Sequence, residues 1–346
     1  MPLETVHHQK KNILKKETPL YVVLLLFAGI ILLLYFFFPK PPAVVRYKTV
    51  QTCSPTINEI RLKDFRFTHP LMFADIPEEN EQLQYLKEKV DGIISSNKAS
   101  NAASDVSVYF CKLYDGEWFA INSSLKYVPS SMLKVSLLIT ILKQADSNPH
   151  LLDKEIYVKG REREDYSQTV KDFQLEEKRS YSVRQLLEYM IKYSDNDAAM
   201  LLGQMADKRT YAKLFTDLQI DPPNTDEINL DKQYSMSIMD CCKLFKILYN
   251  SGYISDANSD FALELLSEST FKNGLLKNLA AAFPVAHKFG EREMSNIQQL
   301  HEIGIFYFGS KPYLLGIMSS GHDMNQLSNV LGQISETVFR HMSNPG

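Results

Sequence analysis

The hydrophobic and polar positions of this chain divide it into a polar start, one long apolar run and a mixed remainder. The run from Leu20 to Phe38 has nineteen residues and no charge, which is long enough to cross a hydrocarbon core of about 30 Å. Pro39 to Pro42 offers no small-residue cleavage site, so a membrane anchor is favoured over a cleavable signal peptide. Lysines before the run slightly outnumber the cations after it, which predicts a cytoplasmic N-terminus and an exported remainder.

The segment after the anchor shows no clear periodicity and contains five prolines between residues 39 and 75. This composition predicts a stalk that spaces the rest of the chain from the bilayer. About 270 residues then remain, enough to bury a full hydrophobic core. We therefore predict a cytoplasmic tail at 1–18, a transmembrane anchor at 19–38, a stalk at 39–75 and a folded domain at 76–346.

Within the domain, alternating and helical patterns predict a mixed α+β fold. A helix with a polar face is expected at about 79–97, followed by strands at 106–114 and 118–122. Two further strands, at 303–308 and 313–319, are joined by Gly309-Ser310-Lys311-Pro312 and predict a hairpin. The strands that follow one another directly indicate an antiparallel sheet.

The middle and the end of the domain are predicted to be helical. The segment 132–142 is apolar nearly all round, which is typical of a central buried helix. Ser182 and Gln185 form a possible capping box before another helix. A C-terminal helix is indicated by apolar residues at helical spacing, namely Leu327, Val330, Leu331, Ile334 and Val338. Helices at both ends, packed on a sheet and separated by an all-helical insertion, complete the α+β arrangement.

Ser131 and Lys134 are the first candidate catalytic pair, because residues three apart on a helix share a face. A serine hydroxyl is a weak nucleophile and needs a base, and a lysine in apolar surroundings can lose its proton near neutral pH. The apolar helix at 132–142 supplies those surroundings. The segment Ser269 to Lys272 has the same spacing, but it opens no long apolar helix and leads into an Asn-Gly turn, so we disfavour it.

Three short motifs follow one another along the chain: Ser131-Met132-Leu133-Lys134, Ser194-Asp195-Asn196 and Lys288-Phe289-Gly290. In order and spacing they resemble the active-site signatures of penicillin-recognising serine enzymes, the class A β-lactamases and the penicillin-binding peptidases. The resemblance covers roughly residues 79–342. It implies the β-lactamase/transpeptidase-like fold, with an antiparallel sheet, flanking terminal helices and an all-helical subdomain. Taken alone, Ser-Asp-Asn-Asp would more simply cap a helix.

The resemblance also implies roles for the second motif. Ser194 would relay a proton to the leaving nitrogen, and Asn196 would hydrogen-bond the substrate amide. Asp195 would hold the loop. These roles place the second motif beside Ser131 and Lys134 in the folded domain.

For the third motif, the resemblance implies a substrate-binding strand. Lys288 would face the cleft and bind the substrate carboxylate, and Gly290 would let the substrate backbone approach closely. The backbone N–H groups of Ser131 and Glu291 would form the oxyanion hole. Phe289 departs from the pattern, because that position usually holds a threonine or serine whose hydroxyl contacts the carboxylate. We therefore expect altered ligand selectivity, with Arg292 or Ser295 as substitutes for the missing hydroxyl.

The base for deacylation is a second departure. Class A β-lactamases use a glutamate four residues before an asparagine, but counting back from Asn229 gives Thr225. Glu227, or less directly Asp226, is the candidate that could activate the water. Both acids can equally be solvated loop residues, so acylation is better supported than turnover.

Composition excludes several other classes of function. The net charge of −3 gives no case for nucleic-acid binding. The eight histidines and four cysteines lack metal-ligand spacing, so neither a metal nor another cofactor is expected. One disulfide is possible, but none is demanded. We expect a monomer that acts on a small molecule.

Three hypotheses for the function remain. The first is a membrane-anchored class A-like β-lactamase that is acylated on Ser131 and hydrolyses β-lactam amide bonds. The second is a DD-peptidase that uses the same acyl-enzyme on D-Ala-D-Ala cell-wall peptides. The third, suggested by Phe289, is a catalytically silent binding module. We favour the first, at the cell membrane with the catalytic domain outside the cytoplasm.

Overall fold

The structure, a computed structural model, describes residues 58–62, 71–76, 78–159, 174–224, 234–280, 283–294 and 296–343. Its strands, numbered in chain order, are β1 (Asn58–Arg61), β2 (Leu71–Asp75), β3 (Asp105–Lys112), β4 (Trp118–Ile121), β5 (Lys126–Tyr127), β6 (Glu155–Val158), β7 (Arg179–Ser182), β8 (Met236–Ser237), β9 (Val285–Glu293), β10 (Gln298–Phe306) and β11 (Tyr313–Gly321). Its α-helices are α1 (Gln84–Ala99), α2 (Leu133–Ser147), α3 (Val183–Lys192), α4 (Asn196–Met205), α5 (Lys208–Asp217), α6 (Ile238–Tyr249), α7 (Asp256–Ser267) and α8 (Met324–Ser343).

Five strands form one antiparallel sheet in the order β4-β3-β11-β10-β9. β10 and β11 pair from Phe306 with Tyr313 to Gln298 with Gly321, so the predicted hairpin is confirmed and extends further than the pattern indicated. The reason is that its outer residues are polar yet still paired in the ladder. β9 pairs with β10 along its whole length and lies at the end of the sheet. The predicted α+β class is confirmed.

The two faces of the sheet are covered by different helices. On one face, α1 and α8 bury residues such as Val90 and Leu331 against Phe110 and Phe306. On the other face, the helical middle of the chain packs against residues such as Ile303. Each buried aliphatic side chain contributes about 1.5 to 3 kcal/mol to folding. Because successive side chains of a strand point to opposite faces, β9 has one face toward α1 and α8 and the other toward the helical middle of the chain.

The central helix α2 is buried nearly all round, as its sequence predicts. Every residue from Leu133 to Leu142 is buried, and α2 packs against α3, α4, α5 and α7. A helix without a polar face must be covered on every side, which explains why four helices surround it. The same cover removes the only charged residue of its first turns, Lys134, from water.

The packing of the domain begins before residue 76, which corrects the boundary predicted for the stalk. β1 and β2 form an antiparallel pair within the predicted stalk. Met72 and Phe73 of β2 are buried in the core that also contains α2. Lys246 of α6 donates a hydrogen bond to Asp75, which ties β2 to that helix. The short strand was missed because its few apolar residues show no sustained alternation.

The predicted membrane anchor, Leu20 to Phe38, lies outside the described residues. Among the helices that the structure does describe, none is long and apolar enough to span a bilayer.

Candidate active site

The candidate nucleophile lies in a short 3-10 helix, Ser130–Met132, and α2 begins at Leu133. We expected Ser131 to belong to the same regular helix as Lys134, and this detail is wrong. A 3-10 turn still places residues three apart on the same side, because it has three residues per turn. Ser131 is half-buried and Lys134 is buried, so the turn leads from the surface of the site into its interior.

Lys134 is surrounded by neutral hydrogen-bond acceptors. Its Nζ donates to the backbone oxygen of Ser194, to Ser194 Oγ at 3.2 Å and to Asn196 Oδ1 at 2.7 Å. Burial lowers the pKa of Lys134 to about 7, against the opposing effect of the Asp195 and Glu291 charges. A substantial share of Lys134 is therefore neutral at physiological pH and can accept a proton.

No hydrogen bond joins Ser131 Oγ to Lys134 in the described part of the chain. Hydrogen bonds between a nucleophile and its base are often long before substrate binds and tighten in the complex. Lys134 instead contacts Ser194 and Asn196 of the second motif, and the turn that carries Ser131 directly precedes the helix of Lys134.

The second motif is a helix cap and a part of the site at the same time. Asp195 is the N-cap of α4, and its Oδ1 accepts a hydrogen bond from Ala198 N at 2.7 Å. Its own N–H donates to Tyr189 O at 3.1 Å, at the end of α3. With Asp195 fixed in this way, the flanking Ser194 and Asn196 both contact Lys134. The helix cap and the second motif are therefore the same turn. Asp195 caps α4, and this fixes the positions of Ser194 and Asn196 at Lys134.

Lys288 of β9 contacts the same hydroxyl. Its Nζ donates to Ser194 Oγ at 2.8 Å, so that oxygen contacts two lysines. A hydroxyl has two acceptor lone pairs and one proton. When both lysines donate, the proton of Ser194 is left for a third partner. Burial, and next the charge of Lys134, lower the pKa of Lys288 well below its ordinary value.

Gly290 is required by the chain's own nucleophile turn. A Cβ at this position would lie 2.7 Å from Pro129 O and 3.3 Å from Met132 N. Within the protein, the backbone that approaches Gly290 is that of the turn preceding Lys134, and the approach of a substrate backbone at Gly290 stays a prediction. The close packing also sets Glu291, the next residue of β9, beside the turn that carries Ser131. Burial raises the pKa of the Glu291 side chain.

Lys288 does not face an open cleft, contrary to the expectation for its carboxylate-binding role. Its side chain has an exposed fraction of 0%. The ring of Phe289 lies against it, with 4.3 Å between Nζ and the ring centroid. Phe289 stands where threonine or serine is usual, and its own side chain is also buried.

The candidate base for deacylation falls outside the described residues. This applies to Glu227 and Asp226, to the reference positions Thr225 and Asn229, and to Ser295. Their proposed contributions stay predictions. The structure therefore describes the side chains proposed for acylation, and it does not describe the base proposed for deacylation.

Two features of the site gave no sequence signal. Ser130 and Ser194 have positive φ angles of 51° and 57°, a region that non-glycine residues seldom adopt. Such strain is typical of functional turns, because the surrounding structure must hold it in place. Residue type alone does not reveal it, since both are ordinary serines.

A buried histidine supports the turn from behind. His301 Nδ1 accepts a hydrogen bond from Ser319 N at 3.2 Å, so its Nε2 donates to Val128 O at 3.2 Å. Burial lowers the pKa of His301 to about 4, which keeps the ring neutral. Val128 precedes the nucleophile turn by two residues, so His301 ties that turn to the sheet. Little in the sequence indicates this role, because His301 is one of several polar residues in β10, beside Glu302.

The described residues contain no cluster of three histidine, cysteine or acidic side chains suited to a metal. Within the same ranges, Cys111, Cys241 and Cys242 are free and buried. Cys53 lies outside them.

Comparisons with known proteins agree with this fold and with the sequence resemblance. A family model described as the beta-lactamase enzyme family matches residues 85–342. A solved beta-lactamase from Chitinophaga pinensis is 20% identical, with a TM-score of 0.65, over 75% of this chain and 100% of its own. A class A beta-lactamase representative from Bacteroides cellulosilyticus is 18% identical, with a TM-score of 0.64, over 77% and 100%. A search of curated protein sequences gives no match.

A further solved structure is a mutant of PBP-A described as an acyl-enzyme complex with penicillin G. It is 17% identical, with a TM-score of 0.62, over 75% of this chain and 97% of its own. Identities this low show a common fold.

Proposed function

Because the chain belongs to the beta-lactamase enzyme family and is thus a serine hydrolase, we propose that it is a class A-like enzyme acylated on Ser131 that hydrolyses the amide bond of β-lactams. The observation that carries the proposal is the position of Ser194 Oγ between Lys134 and Lys288. This arrangement supplies a base for the nucleophile and a proton for the leaving group.

Acylation follows from these contacts. Neutral Lys134 takes the proton of Ser131 Oγ as that oxygen attacks the carbonyl carbon. The N–H groups of Ser131 and Glu291 stabilise the resulting oxyanion. The C–N bond then breaks, Ser194 donates its proton to the nitrogen, and Lys134 returns the proton to Ser194. The products are an ester on Ser131 and a free amine, with Lys134 neutral again.

Deacylation requires water and a base. In the proposal Glu227 takes a proton from the water as the water oxygen bonds to the ester carbonyl carbon. The ester C–O bond then breaks and that proton passes to Ser131 Oγ, so the product leaves as a carboxylic acid and Glu227 is a carboxylate again. The chain resembles class A enzymes in overall motif order, which supports this route. The position of Glu227 two residues from the usual one makes a slower step the expected result.

The second candidate is a DD-peptidase that uses the same acyl-enzyme on D-Ala-D-Ala peptides. Thr225 in place of the usual glutamate favours it, because an enzyme without a base for water keeps its acyl group longer. The similarity in fold to PBP-A is compatible with this candidate as well as with the first.

The proposal includes the membrane anchor at Leu20 to Phe38, with the N-terminus in the cytoplasm. Its test is protease treatment of intact and lysed cells that carry an epitope at either end. The C-terminal epitope should be digested in intact cells and the N-terminal epitope only after lysis. Release of the whole chain by alkaline carbonate would contradict the anchor.

The experiment that tests the function is intact-protein mass spectrometry of the full chain mixed with a penicillin, beside the Ser131→Ala variant. A transient adduct, absent from Ser131→Ala, with steady loss of penicillin would support the β-lactamase. A long-lived adduct on Ser131 would favour the peptidase. No adduct with the penicillin or with its methyl ester would contradict both and leave the silent binding module.

A further inference from the structure

The aromatic residues Phe271 and Phe289 form a pair beside Lys288 that the proposed reaction does not use. Their rings are stacked, with centroids 3.9 Å apart and planes inclined by 13°. Both side chains are buried. Phe289 replaces the usual threonine or serine, and Phe271 comes from the segment disfavoured as a nucleophile motif. Two unexplained features of the sequence therefore meet at one place in the fold.

The ring of Phe289 packs against the Lys288 ammonium. The distance of 4.3 Å from Nζ to the ring centroid is that of a cation–π contact. Nζ also donates to Ser194 Oγ at 2.8 Å and to Phe289 O at 3.1 Å. The ammonium is thus directed at atoms of its own chain on three sides, and no part of the side chain is exposed.

The stack is held in place from both ends of the Phe271 segment. On one side, Thr270 donates to Lys192 O from its backbone N and from its Oγ1, each at 3.1 Å. On the other side, Leu275 N donates to the buried carboxylate of Glu302 at 2.7 Å. Phe271 is therefore fixed between α3 and the sheet, and Phe289 packs against a rigid partner.

This arrangement affects what the site can bind. A carboxylate bound to an ammonium requires about 2.8 Å between nitrogen and oxygen. The Phe289 ring takes one side of the Lys288 ammonium, and an anion placed against that ring without a partner would lose its hydration uncompensated. The lowered pKa of Lys288 weakens the attraction further. Lys288 retains its contact with Ser194, which needs no access from outside.

We propose that the site selects acyl donors that carry no carboxylate beside the scissile bond, and that Phe289, held by Phe271, is the residue that determines this specificity. Lys288 is then a positioning residue for Ser194 and does not receive the ligand's anion. The inference rests on the acyl transfer at Ser131 proposed above.

A penicillin and its methyl ester test the proposal, because they share the reactive ring and differ in one charge. The measured quantity is the second-order rate of adduct formation on Ser131 of the full chain, followed by intact-protein mass spectrometry. The wild type should react with the ester at least as fast as with the acid. Phe289→Thr should raise the rate of the acid relative to the ester by about tenfold or more, as expected for one new ionic contact.

The matched variant is Phe289→Val, which has the shape of threonine without its hydroxyl. It should open the way to Lys288 and give a smaller shift in the same direction. Thermal melting of each variant checks the fold. If Phe289→Thr does not fold, Phe271→Leu removes the stacked ring from the other side and should also shift the preference toward the acid.

A wild type that prefers the acid by tenfold or more would overturn the inference. If Arg292→Ala then abolishes that preference, the carboxylate binds further along β9 and not at Lys288. An acid-to-ester ratio unchanged in both Phe289 variants would remove the role of Phe289. If neither compound forms an adduct with any variant, the proposed acyl transfer is overturned as well. Failure of the acyl transfer is thus distinguished from failure of the proposed specificity, in which adducts still form.

Discussion

Two buried lysines in this protein have nearly equal exposure and opposite surroundings. Lys134 has an exposed fraction of 4% and Lys246 one of 5%. Lys246 donates to the Asp75 carboxylate at 2.5 Å and to the Tyr109 hydroxyl at 2.6 Å. Among the described residues, Lys134 donates only to neutral oxygens, those of Ser194 and Asn196. The hydrogen-bonding partner, and not the depth of burial, therefore separates a structural lysine from a reactive one in this protein.

The physical reason is the balance between desolvation and charge. Burial disfavours the charged form of any lysine, and a carboxylate in contact restores it. Lys246 has such a carboxylate in the Asp75 side chain. For Lys134 the nearest acids act only through space, and burial lowers its pKa to about 7. One lysine therefore links β2 to α6, and the other is suited to accept the proton of Ser131.

The largest expected effect comes from replacing each lysine by methionine, which keeps the apolar stem. Lys134→Met should lower the acylation rate by about 10² to 10⁴, because a general base is lost. Lys246→Met should leave the rate unchanged, since Lys246 lies outside the site. Adduct formation with a penicillin measures both, and circular dichroism checks the fold. Equal losses of activity in the two variants would contradict the distinction.

A smaller effect is expected when Lys134 is given a carboxylate partner like that of Lys246. In the wild type, acylation should rise with pH around a midpoint near 7, because the neutral form of Lys134 is the base. Asn196→Asp should move that midpoint up by about 1 to 3 pH units. Asn196→Ala, which loses the amide without adding charge, is the control. A midpoint that moves equally in both variants would show that the added charge is not the cause.

The smallest effect is expected for the reverse change, removal of the carboxylate from Lys246. Asp75→Asn should lower the free energy of unfolding by about 2 to 3 kcal/mol, less than for a fully buried pair because Asp75 is partly exposed. The pH midpoint of acylation should stay near 7. Denaturant unfolding measures the first quantity. An unchanged stability would show that this ion pair does not hold β2 to α6.

The sequence predicted those parts of the site that depend on local order. Ser131 and Lys134 share one turn, and the apolar residues after them can only form a covered helix. The helix-capping role of the Ser194-Asp195-Asn196 turn could also be predicted, because the Asp195 carboxylate accepts a hydrogen bond from the backbone only three residues away. Helix and strand periodicity identified the α+β class for the same reason.

Contacts between distant segments were not predictable in the same way. Phe271 and Phe289 are eighteen residues apart, and no pattern indicates that their rings stack or that Phe289 lies against Lys288. The space at Gly290 is taken by the chain's own turn at Pro129, which a motif cannot reveal. Strand β2 was not predicted for the same reason, because its burial in the core depends on contacts with the distant helix α6.

The order of residues along the chain is enough to indicate which residues can be buried and which chemistry they could then perform. Lys134 and Lys246 both lie in apolar segments, so the apolar pattern does not separate them, although the spacing from Ser131 marks Lys134 as the candidate base. The tertiary structure decided between them by bringing Asp75, 171 residues away, to Lys246 and Ser194, 60 residues away, to Lys134. The state of a buried charge depends on what lies within a few ångströms, and chain folding sets those neighbours.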